Sequence, residues 1–320
     1  RYVSTTGVNA GDCSDPMNPC LTIQYAISQS LAGDNVHVGA GTYNENLSVD
    51  RSLSFFGGGM ANVIGSDVSP GTFHILPAIN NVLIDGFIIV GFDSPNPAIE
   101  RAAIYLQGNH TNITIQNNTV TAAGEAGYLE EFGAMNVNVT ISNNIFNGQT
   151  FVGPMPAGCG FSMQFTLHNV PRQLVVVSNN SSNVIFTNNI ISGTTGGPST
   201  EPGCTVTGQG NNLVTIDATN VTISGNTFNG TMYGSSSMLR ARGTQVSVSG
   251  NTFDGSNLNG STYYIFFDND ALAGGTPSTV AGVVGANTFL PAAAHVTSGT
   301  NFLVISCTGP ILNTSINGFV

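Results

Sequence analysis

Apolar and polar residues alternate in short bursts along much of this chain, and the bursts recur. The phrase NVTISNNIFNG occupies 138–148, with near copies NVTISGNTFNG at 220–230 and QVSVSGNTFDG at 245–255. Aligned from positions 112, 138, 183, 220 and 245, the second residue of each copy is Ile113, Val139, Val184, Val221 or Val246. The fourth is Ile115, Ile141, Phe186, Ile223 or Val248, and mostly Thr and Ser stand between and after them. Apolar, largely β-branched residues at period two predict a half-buried strand.

After the strand comes a two-residue bend, where Gly is common, and then an asparagine column: Asn118, Asn144, Asn189, Asn226 and Asn251, extended by Asn287. Two positions further on stand Val120, Phe146, Ile191, Phe228, Phe253 and Phe289. Each copy therefore reads as strand, bend, inward asparagine and second short strand. Successive copies begin 26, 45, 37 and 25 residues apart, a core period carrying loops of unequal length. A unit that cannot bury its own apolar face must stack on its neighbours, which predicts a solenoid. Parallel coils about 4.8 Å apart would let stacked asparagine side chains bond to one another and to the bend backbone.

The ends read differently. TIQYAISQSLAG (22–33) sets Ile23, Ala26, Ile27 and Leu31 on one helical face, with Gly33 as the stop, and so predicts a helix capping the first coil. The segment 301–320 is apolar and strand-like, with no matching helix. The expected organisation is a single domain: cap region 1–35, coils over 36–300, and uncapped strands over 301–320. Loop insertions are expected near 122–135, 150–175 and 194–212. A bare sheet end invites pairing, so head-to-tail stacking of copies into a filament is the expected self-association.

Residues 2–49, "YVSTTG…GDCSDPMNPCLTIQYAIS…GDNVHVGAGTYNENLSV", resemble the opening of secreted, pectin-lyase-like right-handed parallel β-helix proteins, and the NVTISGNTF coils resemble their repeat. The resemblance implies an all-β fold, a single-stranded right-handed parallel β-helix of about ten coils. It does not imply one function, because that superfold hosts lyases, hydrolases, adhesins and structural proteins. The hydrolase motifs of the family, with closely spaced Asp pairs, His-Gly and Arg-x-Lys, are absent, and a chain without lysine cannot carry the last.

Composition narrows the partners. The net charge is −11 and all six basic residues are Arg, so nucleic acid, which demands clustered cations, is excluded as a partner. No run reaches the 18 or so apolar residues of a membrane span. A start at Arg1 suits a processed, exported form, as do the sequons at Asn46, Asn109, Asn112, Asn117, Asn138, Asn220, Asn229, Asn259 and Asn313. A chain this rich in Asn and Thr also produces that motif by chance.

Cysteines suit an oxidising compartment. Cys13 and Cys20 bracket a turn-rich loop and are expected to pair. Cys159 and Cys204 each lie 21 residues after a repeat start, an equal offset that would bring them within disulfide reach on neighbouring coils. Cys307 is left over, in position to reach another subunit.

Candidate chemistry is sparse. Asp217 and Arg242 each precede a repeat start by three residues and should stack. With Arg240, Asp268 and Asp270 they form the best catalytic candidate for a lyase or glycoside hydrolase. The alternative is a ladder of opposite charges, which needs no catalytic explanation. GEAGYLEEFG (124–133) places Glu125, Glu130 and Glu131 beside Tyr128 and Phe132, and reads as a solvated loop. A glycan-binding module would use Tyr128, Phe132, Tyr233, Tyr263 and Tyr264. His37, His74, His110, His168 and His295 share no spacing and read as structural. No zinc pattern is present, calcium is possible without being indicated, and no cofactor is expected. These readings together favour a non-catalytic, extracellular structural or adhesive protein.

Overall fold

The computed structural model describes residues 1–66, 69–92, 102–122, 126–148, 173–195, 212–232, 236–255, 262–268, 281–290, 301–306 and 315–316. Cys159, Cys204, Cys307, Asp270, Glu125, Tyr233, His168, His295, Asn259 and Asn313 lie outside them.

The chain winds as a parallel β-helix with three faces. The first face takes the alternating strands: Asn35–Val38, the opening parts of Ser54–Ile64 and Val82–Val90, then Thr111–Gln116 and Val137–Ser142. It continues through the second half of Val175–Thr187, the second half of Val214–Ser224, Thr244–Ser249 and Ala281–Val284. The second face follows the bend and includes Thr119–Thr121, Ile145–Asn147, Ile190–Ser192, Thr227–Phe228, Thr252–Asp254 and Thr288–Leu290. The third face includes Gly71–Ile75, Ala102–Leu106, Ala126–Glu130, the opening parts of Val175–Thr187 and Val214–Ser224, Ser236–Arg242, Thr262–Asp268 and Asn301–Ser306. Neighbouring strands pair in parallel and in register, so Ile113, Val139, Val184, Val221 and Val246 form one inward column.

The inward asparagines are buried and bonded from rung to rung. Nδ2 of Asn118 donates to Oδ1 of Asn144 at 3.1 Å, and the pattern repeats through Asn189, Asn226 and Asn251 to Asn287. Each acceptor oxygen also takes the backbone N–H of the preceding rung, as Asn144 Oδ1 does from Asn118 at 3.0 Å. The second Nδ2 proton goes to a carbonyl of the preceding strand, for example Ile115 for Asn144 and Phe186 for Asn226. A buried amide with both ends satisfied escapes the penalty for stranded polar groups.

A second, exposed column was not read from the sequence. Asn112 donates to Asn81 at 2.8 Å, Asn138 to Asn112 at 2.9 Å, Asn183 to Asn138 at 3.0 Å and Asn220 to Asn183 at 2.8 Å. All five have left-handed backbones, with φ between 55° and 59°, a conformation that asparagine tolerates better than other non-glycine residues. The bend before the inward rung shows the same demand. Asn117, Asn143 and Asn188 sit at φ 56°, and Gly225 and Gly250 take their place at 67° and 68°. A Cβ on Gly225 would come within 2.3 Å of Asn188 Oδ1, so that position accepts only glycine while Asn188 keeps its place.

The cap helix covers Ile23–Gln29 and buries Ile23, Ala26 and Ile27. Thr22 caps its N-terminus, and the Glu45 carboxylate accepts the N–H groups of Ile23 and Gln24 at 3.0 and 2.9 Å, where the helix dipole favours negative charge. Leu31 and Gly33 depart from expectation. Ser30 ends the helix in extended conformation, with its hydroxyl on the Ala26 carbonyl, so Leu31 lies beyond the helix and is 70% exposed. Cys13 and Cys20 form a disulfide beside this cap. The expected loop at 122–135 is also corrected: Ala126–Glu130 is a third-face strand between Ala102–Leu106 and Val175–Thr187.

Asn226→Ala removes the acceptor for two donors of Asn189 and frees the Phe186 carbonyl. The expected loss is about 1–3 kcal/mol, against about 0.5 kcal/mol or less for Thr227→Ala next door. Thermal unfolding of the two variants measures the difference, and equal melting temperatures would contradict the role of the column.

Candidate functional site

The outward side of the third face carries His74, Asp217, Arg240 and Arg242. Register puts Ser48, His74, Tyr105, Leu129, Val176, Thr215 and Arg240 in one column, one residue per coil. Tyr105 and Leu129 point away from the main core and are nonetheless buried, packed with Ala102, Ala126 and the partly buried Val176.

At the upstream end of this column His74 stacks on Tyr105, with ring centroids 5.5 Å apart. Its Nε2 lies 2.9 Å from Oε1 of Gln107. An amide oxygen only accepts, so Nε2 carries the proton and Nδ1 keeps the lone pair. Burial lowers the His74 pKa, opposed by the Gln107 bond and the charge of Glu131, so the imidazole is neutral at neutral pH. Glu131 accepts the Gly108 N–H at 2.6 Å, from the turn that follows the neighbouring strand Ala102–Leu106.

Four coils beyond His74, the register pairs Asp217 with Arg242. Arg242 grips the carboxylate through both Nε, at 2.6 Å from Oδ1, and a terminal nitrogen on Oδ2. Their side chains are only 12% and 8% exposed. Arg240 occupies the adjacent outward position, beside Thr215. The next coil pairs Ala241 with Phe267, so the backbone of Asp268 follows alongside Arg242. Four coils correspond to about 19 Å, so His74 and the Asp217–Arg242 pair share a face without meeting.

Glu130 and Glu131 part company. Successive residues of a strand point to opposite sides, so Glu131 is partly exposed while Glu130 turns inward and is 1% exposed. Glu130 is therefore not part of a solvated loop. Its carboxyl takes the Tyr128 hydroxyl at 2.8 Å, the Ser178 N–H at 3.0 Å and the Ser181 hydroxyl at 2.5 Å. Burial raises its pKa, and the hydrogen bonds it accepts, that of Ser181 foremost, oppose the rise. Tyr128 and Tyr264 are core residues, 0% and 1% exposed, which removes both from the proposed aromatic glycan platform. Phe132 is exposed, and Tyr263 is placed on a third-face strand.

Chemically, the His74 lone pair can accept a proton, whereas a guanidinium remains protonated in proteins. Among the described residues no group of three or more His, Cys, Asp or Glu is placed to hold a metal ion. None of the described helices is long and apolar enough to cross a membrane. The sequence reading missed the His74–Tyr105–Gln107 group because its alignment used only the first- and second-face repeat. A third-face alignment of 74, 105, 129, 176, 215 and 240 carries the missing signal.

Comparison with solved structures places this backbone. The ORF18 protein of Geobacillus virus E2 superposes with a TM-score of 0.51 at 14% identity, covering 97% of this chain and 62% of that one. A mutant pectin methylesterase in complex with a hexasaccharide gives 0.47 at 12% identity, covering 87% and 92%. The chain has a right-handed parallel β-helix fold. At such identities the likeness is one of fold alone. No protein-family model matches the sequence. A cell surface glycoprotein of Methanothermus fervidus is 36% identical over 110 residues, which make up 33% of this chain and 16% of that protein.

The raised pKa of Glu130 carries a sign. The folded state holds the proton more tightly than the unfolded chain, so this group's stabilisation is complete below its ordinary pKa of 4.5 and is lost as pH rises through the folded value. Glu130→Gln should abolish that decline, and unfolding curves across pH 4 to 8 for both proteins would show it. Parallel curves would mean that Glu130 does not titrate with folding.

Proposed function

We propose that this chain is an extracellular, cell-surface β-helix with a structural or adhesive role and no catalytic one. One observation carries the reading: the strongest charged pair of the enzymatic alternative is closed upon itself. Asp217 and Arg242 form a two-pronged, largely buried ion pair between adjacent coils, leaving neither group aimed at a substrate. Such a pair tightens coil stacking and needs no ligand to account for it. Similarity over a third of the chain to a cell surface glycoprotein supports the location. The bonded asparagine column supports a stiff scaffold that holds its outer faces at fixed spacing.

A second reading, a carbohydrate-active enzyme, draws on the neutral His74 imidazole beside Tyr105 and Glu131. The two separate cleanly. Incubation with pectate, alginate and neutral glycans, with and without calcium, should give no cleavage products. Turnover that disappears in Arg242→Ala or His74→Gln, with unfolding curves showing both variants folded, would establish the enzymatic reading instead. Location is tested independently: protease treatment of intact cells should release fragments of this chain, and full protection would contradict a surface position.

A further inference from the structure

Most sequon asparagines in the described structure spend their amide nitrogen on the fold. Asn112, Asn138 and Asn220 donate to the next rung of the outer column. Asn46 donates to the carbonyls of Ser66 and Gly71, and Asn117 to the Asp85 carboxylate. Asn109, in Asn109-His110-Thr111, is different. It is exposed in the turn between Ala102–Leu106 and Thr111–Gln116, and its Oδ1 is fixed by the Met135 N–H at 2.8 Å. Its Nδ2 makes no hydrogen bond among the described residues.

A second observation lies beside it. The turn on the adjacent coil exposes two large apolar side chains, Phe132 at 67% and Met135 at 57%, and Met135 is the residue whose backbone holds Asn109. An aromatic ring and a thioether exposed on the turn that holds an unengaged sequon amide offer a surface that the apolar face of a sugar ring would cover. We propose that Asn109 is an N-glycosylation site and that the first sugars of the glycan lie on Phe132 and Met135. The inference rests on the extracellular reading above, because the modification belongs to exported chains.

The reaction requires a sugar activated as a lipid-linked pyrophosphate and a transferase. Asn109 Nδ2 bonds to the anomeric carbon while the carbon–oxygen bond to pyrophosphate breaks. The pyrophosphate departs with the electron pair, and one amide proton passes to a base. The linked nitrogen keeps one N–H, and Oδ1 keeps its bond to Met135. The same addition at Asn112, Asn138 or Asn220 would crowd a glycan into a column whose rungs are about 4.8 Å apart.

The test uses the full chain carrying an added export signal, made in a host that glycosylates N-x-Thr motifs. The folded, secreted protein is mapped by glycopeptide sequencing. Asn109 should carry the glycan and Asn112, Asn138 and Asn220 should not, with Asn109→Gln and Thr111→Ala each losing the glycan from that peptide. Enzymatic removal of the glycan should lower the melting temperature of the wild type, and lower it less in Phe132→Ser/Met135→Ser. Folded protein bare at Asn109, whether or not the rungs are modified, overturns the site. An unchanged melting temperature in the wild type overturns the seating on Phe132 and Met135. Export is imposed in this experiment, so protection of the native protein from protease on intact cells counts against the extracellular reading and not against the site.

Discussion

A primary amide taken out of water brings two donor hydrogens and an oxygen with two lone pairs, and all of them must be met. In this chain one answer repeats at Asn144, Asn189, Asn226 and Asn251: the oxygen takes two bonds from the rung before, and the nitrogen gives one to the rung after and one to a strand carbonyl. The arrangement closes only if adjacent coils sit in register, because a slip by one residue would turn every inward side chain outward. The column therefore fixes the register of the first and second faces. The phenylalanine stack of Phe228, Phe253 and Phe289 follows from it, with centroids 4.6 and 5.3 Å apart.

The third face obeys a looser rule. Its described inward positions form no asparagine column and mix Tyr128, Glu130, Ile104 and Leu106. Polar and ionic groups settle there pair by pair: Glu130 with Tyr128 and Ser181, Asp217 with Arg242, His74 with Gln107. Such pairs are local solutions. They tie one coil to the next without imposing a pattern on the rest of the face, which leaves that surface free to vary in chemistry.

What the sequence made legible follows the same division. First- and second-face strands repeat residue types at fixed offsets, so the inward column, the bend and the fold class could be read from Asn118 to Asn287. The stacking of Asp217 on Arg242 was legible too, because both keep a fixed distance from a repeat start. Glu130 was misjudged because two adjacent glutamates look like a solvated loop, although strand alternation sends one inward and the other out. Leu31 was misjudged because helical periodicity says nothing of where Ser30 turns extended. The outer column stayed hidden because its asparagines matter through backbone conformation, which a hydrophobic pattern does not record.

The bend between the first and second faces is two residues long at Asn117–Asn118, Asn143–Asn144, Asn188–Asn189, Gly225–Asn226 and Gly250–Asn251. The passage from the second face to the third has no such constancy: it runs from Thr121 to Ala126 in one coil and from Asn147 to Val175 in the next. Length can therefore change along one edge of the prism while the other stays closed to insertion. Over evolutionary time that edge is where new segments can be grafted one coil at a time, each held at a known height on the rod, without disturbing a single rung. The molecule is in this sense a rack with numbered slots, and diversification can proceed slot by slot.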